Sequence, residues 1–265
     1  MTNNLIIGQY VPGHSLIHRL DPRAKLLIVF AYVLIVFLAN NVVTYTVLSL
    51  FTFVFAALSR IPLSFIMRGL KPILWVVLFT MLLHLFMTKE GDVVYRLGTF
   101  SIYEGGIRQG IFISLRFLLL VLMTTMLTLT TTPIEVTDGV ESLLGPLKKM
   151  RVPVHELALM MAISLRFIPT LMEETEKIMK AQAARGVDFS GGRFSERVKA
   201  IVSLLVPLFI SSFKRADELA TAMEARGYRG GEGRTKFRQL VWKPLDTSFL
   251  VATALLAALL FLLRS

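Results

Sequence analysis

The chain lacks cysteine altogether among its 265 residues, which excludes disulfides and thiolate chemistry. It also lacks a G-x-x-x-x-G-K-[ST] segment, so it carries no phosphate loop for a nucleoside triphosphate. Gly186, Gly191 and Gly192 follow no strand, and a dinucleotide fingerprint does not arise. The four histidines, His14, His18, His84 and His155, are scattered and have no carboxylate cluster beside them, so no metal site is expected. His84, near Thr80 and Thr88, reads as a structural residue. Acidic residues are nearly missing from the long apolar runs. That weighs against a self-contained secondary transporter or channel, which wants ionisable groups at mid-membrane. No poised Ser-His pair, Asp pair or metal set sits inside those runs, which weighs against an intramembrane enzyme. Period-2 alternation is missing too, and with it a β-barrel. The start, MTNNLIIGQYVPGHS, has no positive segment leading into an apolar core, so a cleaved signal peptide is not expected.

What is present is grease and positive charge. Hydrophobic residues make up 54% of the chain and mean hydropathy is +0.65, with several runs approaching the length of a membrane span. Phe at 19 and Met at 12 suit lipid-facing and helix-packing surfaces. The formal net charge is +11; in a membrane protein its commonest cause is Lys/Arg excess in cytoplasmic loops, not nucleic-acid binding. The expected fold class is all-α: a polytopic membrane protein with about five transmembrane helices and long additional helices.

Asp21 can cap a first helix, with Pro22 at its first position and Arg23 and Lys25 following. The apolar run Leu26–Ala39 is short for a span. Asn40-Asn41 separates it from a second run, Val42–Leu58, and the pair reads as two helices joined by a tight turn, with one long broken helix as the competing reading. Ser59–Pro72 carries Arg60, Arg68 and Lys71 without an acidic residue and reads as a cytoplasmic loop. A third span is expected over Ile73–Met87, an external segment over Thr88–Gly106, and a fourth span over Ile107–Thr131. Arg116 lies inside that span and must face protein or water. Phe249–Leu263 supplies the fifth. The expected organisation is residues 1–131 as transmembrane helices 1–4, 132–244 as a cytoplasmic domain and 245–265 as the last helix, with a cytoplasmic N-terminus.

Within 132–244 two helices are built alike. One starts near His155 and ends KAQAARG; the other starts near Ser195 and ends TAMEARG. Superposing their terminal glycines puts Ala181 over Ala222, Ala184 over Ala225, Arg185 over Arg226 and Glu176 over Asp217, a short internal repeat. Pro169 and Pro207 sit in the apolar halves, where neighbouring helices can accommodate a kink. From Met172 to Arg185 a helix would run about 20 Å. A glycine cap and an arginine in a last turn are ordinary on their own. Two equivalent ends suggest docking: small alanines let a helix end enter a groove, and the arginine fork meets a carboxylate with two aligned donors. Two ends imply two grooves. Arg193, Arg197 and Lys199 suit either anionic lipid headgroups or a solvated basic loop.

These features resemble the transmembrane T component of energy-coupling factor transporters, the EcfT (CbiQ-like) family. The likeness covers nearly the whole chain, and the paired Ala-Arg-Gly ends, together with Leu20-Asp21-Pro22-Arg23-Ala24-Lys25, carry it. The resemblance implies a non-enzymatic coupling subunit in a bacterial or archaeal plasma membrane. Ala184-Arg185-Gly186 would dock on one ATP-binding-cassette ATPase and Ala225-Arg226-Gly227 on the other, with Ala181, Ala222, Pro169 and Pro207 in the supporting coupling helices. Pro133–Met150, with Glu135, Asp138 and Glu141, would match a short preceding coupling helix. ATP and magnesium would be bound by the partner subunits, with no cofactor in this chain. A membrane-embedded substrate-binding S component would carry a vitamin or similar micronutrient, whose identity this chain does not encode. The alternative is a secondary transporter or channel not coupled to ATPases.

Overall fold

The computed structural model describes residues 10–97, 100–146, 153–189, 191–230 and 239–264. They divide into two compact units, Met1–Leu143 with Gln239–Ser265, and Leu144–Arg238.

The first unit begins as its sequence demands. Asp21 accepts a hydrogen bond from the Arg23 backbone, Pro22 takes the first helical position, and α1 runs Pro22–Ile35. It tightens into a single 3₁₀ turn, Val36–Leu38. Asn41 and Thr44 then form a reciprocal capping box that starts α2, Val42–Ser59. The apolar pair is therefore two helices and not one broken one. The Asn41 side chain also donates to the Leu263 carbonyl at 2.8 Å, tying this turn to the end of α8 (Pro244–Leu262).

α3 spans Leu63–Met87. Its start corrects the expectation of a loop through Pro72. The chain turns at Arg60, in the left-handed region at φ 52°, and Pro62 precedes a helix that simply continues through Pro72. A proline costs one backbone hydrogen bond, which a helix this long and apolar tolerates. Between α3 and α4 (Glu104–Thr130) stands an antiparallel hairpin, β1 Val93–Leu97 with β2 Phe100–Tyr103, which the sequence reading did not separate from loop. α5 follows at Pro133–Leu143.

Among the described residues, five helices are long and apolar enough to cross a membrane: α2, α3, α4, α6 (Val154–Ala184) and α8. The number agrees with the sequence, but the membership differs. α1, at 14 residues, falls short, whereas α6 qualifies through its apolar first half. Exposure runs opposite to that of a water-soluble bundle: Trp75, Phe79 and Met87 of α3 and Phe261 and Leu262 of α8 all point outward. The core gathers Ile28, Tyr32, Leu48, Leu119, Met123 and Leu260 from α1, α2, α4 and α8. Within this core Tyr32 and Thr52 share a buried 2.6 Å hydrogen bond. Arg116 faces protein, as its position required: it donates to the Ala39 carbonyl at 3.1 Å and lies over the Phe37 ring. His84 meets Thr88 at 3.2 Å. His14 and His18 have the i, i+4 spacing of a helical metal pair, yet neither is in a helix: His14 precedes the turn in which His18 lies. Both ring nitrogens of His18 are engaged, by Ser15 at 2.6 Å and the Val11 carbonyl at 2.9 Å.

α5 lies on the start of α1 because Gly139 lets it. A Cβ there would stand 2.9 Å from Leu26 Cδ1 and 3.3 Å from Pro22 Cβ. Alanine asks only that Leu26 yield. Gly139→Val adds two methyl groups against proline and should lower stability by about 1–3 kcal/mol, read as a depressed melting temperature of the detergent-solubilised protein; an unchanged melt would mean the helices are free to part.

The second unit is dominated by α6 and α7 (Phe194–Ala225), of 31 and 32 residues. Each continues through its internal proline, Pro169 or Pro207. Apart from Ala200, no α7 residue is buried.

Candidate functional site: two matched helix ends

The repeated Ala-Arg-Gly sequence folds into the same structure twice. At the end of α6, Arg185 adopts φ −87°, ψ 6° and Gly186 φ +88°. At the end of α7, Arg226 adopts φ −86°, ψ 7° and Gly227 φ +75°. Gly186 donates to the Ala183 carbonyl and Val187 to Gln182, both at 3.0 Å. Gly227 donates to Glu224 at 2.9 Å and Tyr228 to Met223 at 3.0 Å. This is the two-bond Schellman stop in both places. The glycine is needed for its positive φ and not for room, since nothing lies within 4 Å of a Cβ at either position.

What the stop does not require is the arginine. Ala184, Arg185 and Gly186 are all exposed, as are Ala225, Arg226 and Gly227, and so are Ala181 and Ala222 one turn earlier. Among the described residues neither guanidinium has an ion-pair or hydrogen-bond partner. Two unengaged five-donor forks are thus held on rigid, identical supports. The surroundings differ. Arg226 borders a cavity of about 460 Å³ with Arg166, Arg229 and Tyr228 around it.

The repeat also explains how α6 and α7 meet. Glu174 and Arg215 are equivalent positions in the register that superposes the two glycines, and they form an ion pair at 2.6 Å. The other Glu174 oxygen accepts from Ser211. Arg185 follows Glu174 by eleven residues and Arg226 follows Arg215 by eleven. Each arm therefore reaches about 16 Å beyond the shared ion pair at the helical rise of 1.5 Å per residue. The signal for this pair in the sequence is an acid and a base at aligned positions of the repeat. Beside the pair, Ile163, Phe167 and Leu171 of α6 and Leu219 and Met223 of α7 line an apolar cavity of about 330 Å³.

A third constellation surrounds the Asp21-Pro22-Arg23-x-Lys25 start of α1. Arg23 clasps the Asp21 carboxylate with Nε at 3.0 Å and Nη2 at 2.9 Å. Burial pushes the Asp21 carboxyl upward, but hydrogen bonds from the Arg23 side chain and backbone, and the charges of Arg23 and Lys25, more than reverse this and hold it below the usual range. Asp246, fully buried in the first turn of α8, accepts from the Asp21 backbone N–H at 2.7 Å and from that of Lys243 at 2.7 Å. Lys25, also buried, donates to the Thr130 carbonyl at 2.8 Å. Its burial brings the ammonium down to about 8 against the opposing pull of Glu135, Asp246 and Asp21.

A bundle of apolar helices, with a pair of long repeat-built helices that display matched cationic ends, defines a polytopic all-α membrane protein. Comparison with known proteins narrows this. The family profile described as cobalt transport protein (CbiQ) matches residues 13–237. The energy-coupling factor transporter transmembrane protein EcfT of Bacillus subtilis is 68% identical over the full length of both chains. Those of Listeria innocua and Streptococcus thermophilus are 55% and 52% identical over 99–100% of each chain. The chain belongs to the EcfT family of energy-coupling factor transporter transmembrane proteins.

Proposed function

We propose that this chain is the coupling subunit of an ATP-driven importer, that its two Ala-Arg-Gly ends each seat on one ATP-binding-cassette ATPase, and that it moves a membrane-embedded substrate-binding component carrying a vitamin or similar micronutrient. The observation that carries the reading is the pair of identical stops with free guanidinium forks, equidistant from one repeat-related ion pair. That arrangement suits a partner which is itself a pair of like subunits. Closing and opening of that pair would change the angle between the arms about Glu174 and Arg215. The exposed apolar face of α7, with Phe194, Val198, Leu205, Phe209 and Phe213 at helical spacing, supports contact with lipid or with an apolar membrane partner. In this reading the second unit and the N-terminus lie on the cytoplasmic side, where the basic segment around Arg60, Arg68 and Lys71 belongs, and the membrane is the plasma membrane of a prokaryote.

The test is uptake of a mixture of tritiated riboflavin, biotin and folate with radiolabelled cobalamin. The vesicles carry either the complex co-purified with this chain or the chain alone. The expected result is uptake of one or more of these by the complex only, requiring ATP on the ATPase side. Uptake by the isolated chain without ATP would transfer the assignment to a secondary transporter.

A further inference from the structure

The chain passes from the first unit to the second after Leu143 and returns at Gln239. Both passages start from the same spot. Arg23 Nη1 donates to the Ser142 hydroxyl at 3.4 Å, at the outgoing end of α5. Its Nη2 donates to the Leu240 carbonyl at 3.3 Å, on the returning segment. The guanidinium lies 5.6 Å from the centre of the Trp242 ring, two residues further on. The remaining donors hold Asp21, whose backbone is bonded to Asp246 of α8. Gly139 presses the body of α5 on Pro22 and Leu26. One forked cation therefore joins both connections of the second unit to the most buried polar cluster of the first.

We infer that Arg23 is a positioning residue for coupling: it holds the outgoing and returning segments to α1 as one rigid mount, so that displacement of the second unit is delivered to the membrane helices and not absorbed by slack in two independent linkers. A helix cap alone needs neither the guanidinium nor its position, since the Asp21 carboxylate already accepts from the Arg23 backbone at 2.9 Å. Lysine, with a single point charge, cannot hold Ser142, Leu240 and Asp21 together while placing its charge over Trp242.

The inference rests on the coupling role proposed above, and its test separates the two. The purified complex, with wild-type chain, Arg23→Ala or Arg23→Lys, is placed in vesicles, and uptake of the same vitamin mixture and ATP hydrolysis are both measured per assembled complex. The expected result is ATP hydrolysis within about twofold of wild type with uptake per ATP reduced by ~5-fold or more, the lower end of ordinary coupling between sites, and no rescue by lysine. In the second variant, Ser142→Ala with Trp242→Ala, the Arg23–Asp21 clasp is left intact, and the same ratio should fall. That variant decides the matter if Arg23→Ala does not assemble. Because the chain has no cysteine, Ser142→Cys with Leu240→Cys in the Arg23→Ala background can be joined by a short bis-maleimide, which should restore uptake per ATP. An unchanged ratio in the variants, or uptake and hydrolysis falling together, overturns the mount. A wild-type complex that hydrolyses ATP without ATP-dependent uptake overturns the coupling role itself.

Discussion

Glu174→Arg will cost the assembled transporter most of its ATP-dependent uptake, and adding Arg215→Glu will return it. The single change sets two cations where an ion pair stood at 2.6 Å and removes the acceptor of the Ser211 hydroxyl. Arg215 is more than a third exposed, so solvent screens much of the charge term. What is lost is chiefly the fixed crossing of two helices of which few residues are buried. Because the two positions are equivalent in the internal repeat, exchanging them rebuilds the pair from the opposite arms, which few ion pairs allow. The double-mutant coupling should amount to about 1–3 kcal/mol, roughly fivefold or more in the correctly crossed population. Uptake and helix-to-helix crosslinking read it. If the exchanged variant works no better than Glu174→Arg alone, the pair is not the pivot.

The second large effect belongs to Asp246. It is fully buried, and its two oxygens take the backbone N–H groups of Asp21 and Lys243, one at the start of each of two helices. Asp246→Ala leaves the Asp21 N–H buried without a partner beside a clasped Asp21–Arg23 pair and removes the cap from the part-buried Lys243 N–H. Loss of about 3–5 kcal/mol is expected, seen as a collapse of the melting temperature and of the yield of folded protein. Asp246→Asn keeps one acceptor oxygen and should fall between. Equal melts for wild type and Asp246→Ala would show that water or a shifted side chain replaces the carboxylate.

Local signals were legible and pairings were not. Asp21-Pro22 announced the start of α1, Asn41 the start of α2, and each Ala-Arg-Gly a stop, because caps depend on neighbours within four residues. α3 was misjudged at its start because Pro72 and the charges of Arg68 and Lys71 look like loop, whereas the helix needs only the surrounding apolar residues to run through them. The hairpin at 93–103 is a short polar-flanked piece between long helices, with no hydrophobic periodicity of its own to set it apart. Asp246 lies at the edge of the last apolar run, and its contact with Asp21 has no local signal because the two stand 225 residues apart. The Glu174–Arg215 pair was within reach, because the same superposition that aligned the arginines aligned it.

The most direct measurement is the stoichiometry of ATPase subunits that co-purify with this chain from its native membrane, in wild type, Arg185→Glu, Arg226→Glu and the double variant. The account predicts two bound ATPase subunits in wild type, weakened retention when either arginine is reversed, and none when both are, while the helices remain folded because the Schellman stops need only the glycines. Full retention by the double variant, or a wild-type chain that purifies with no ATPase at all, would contradict it.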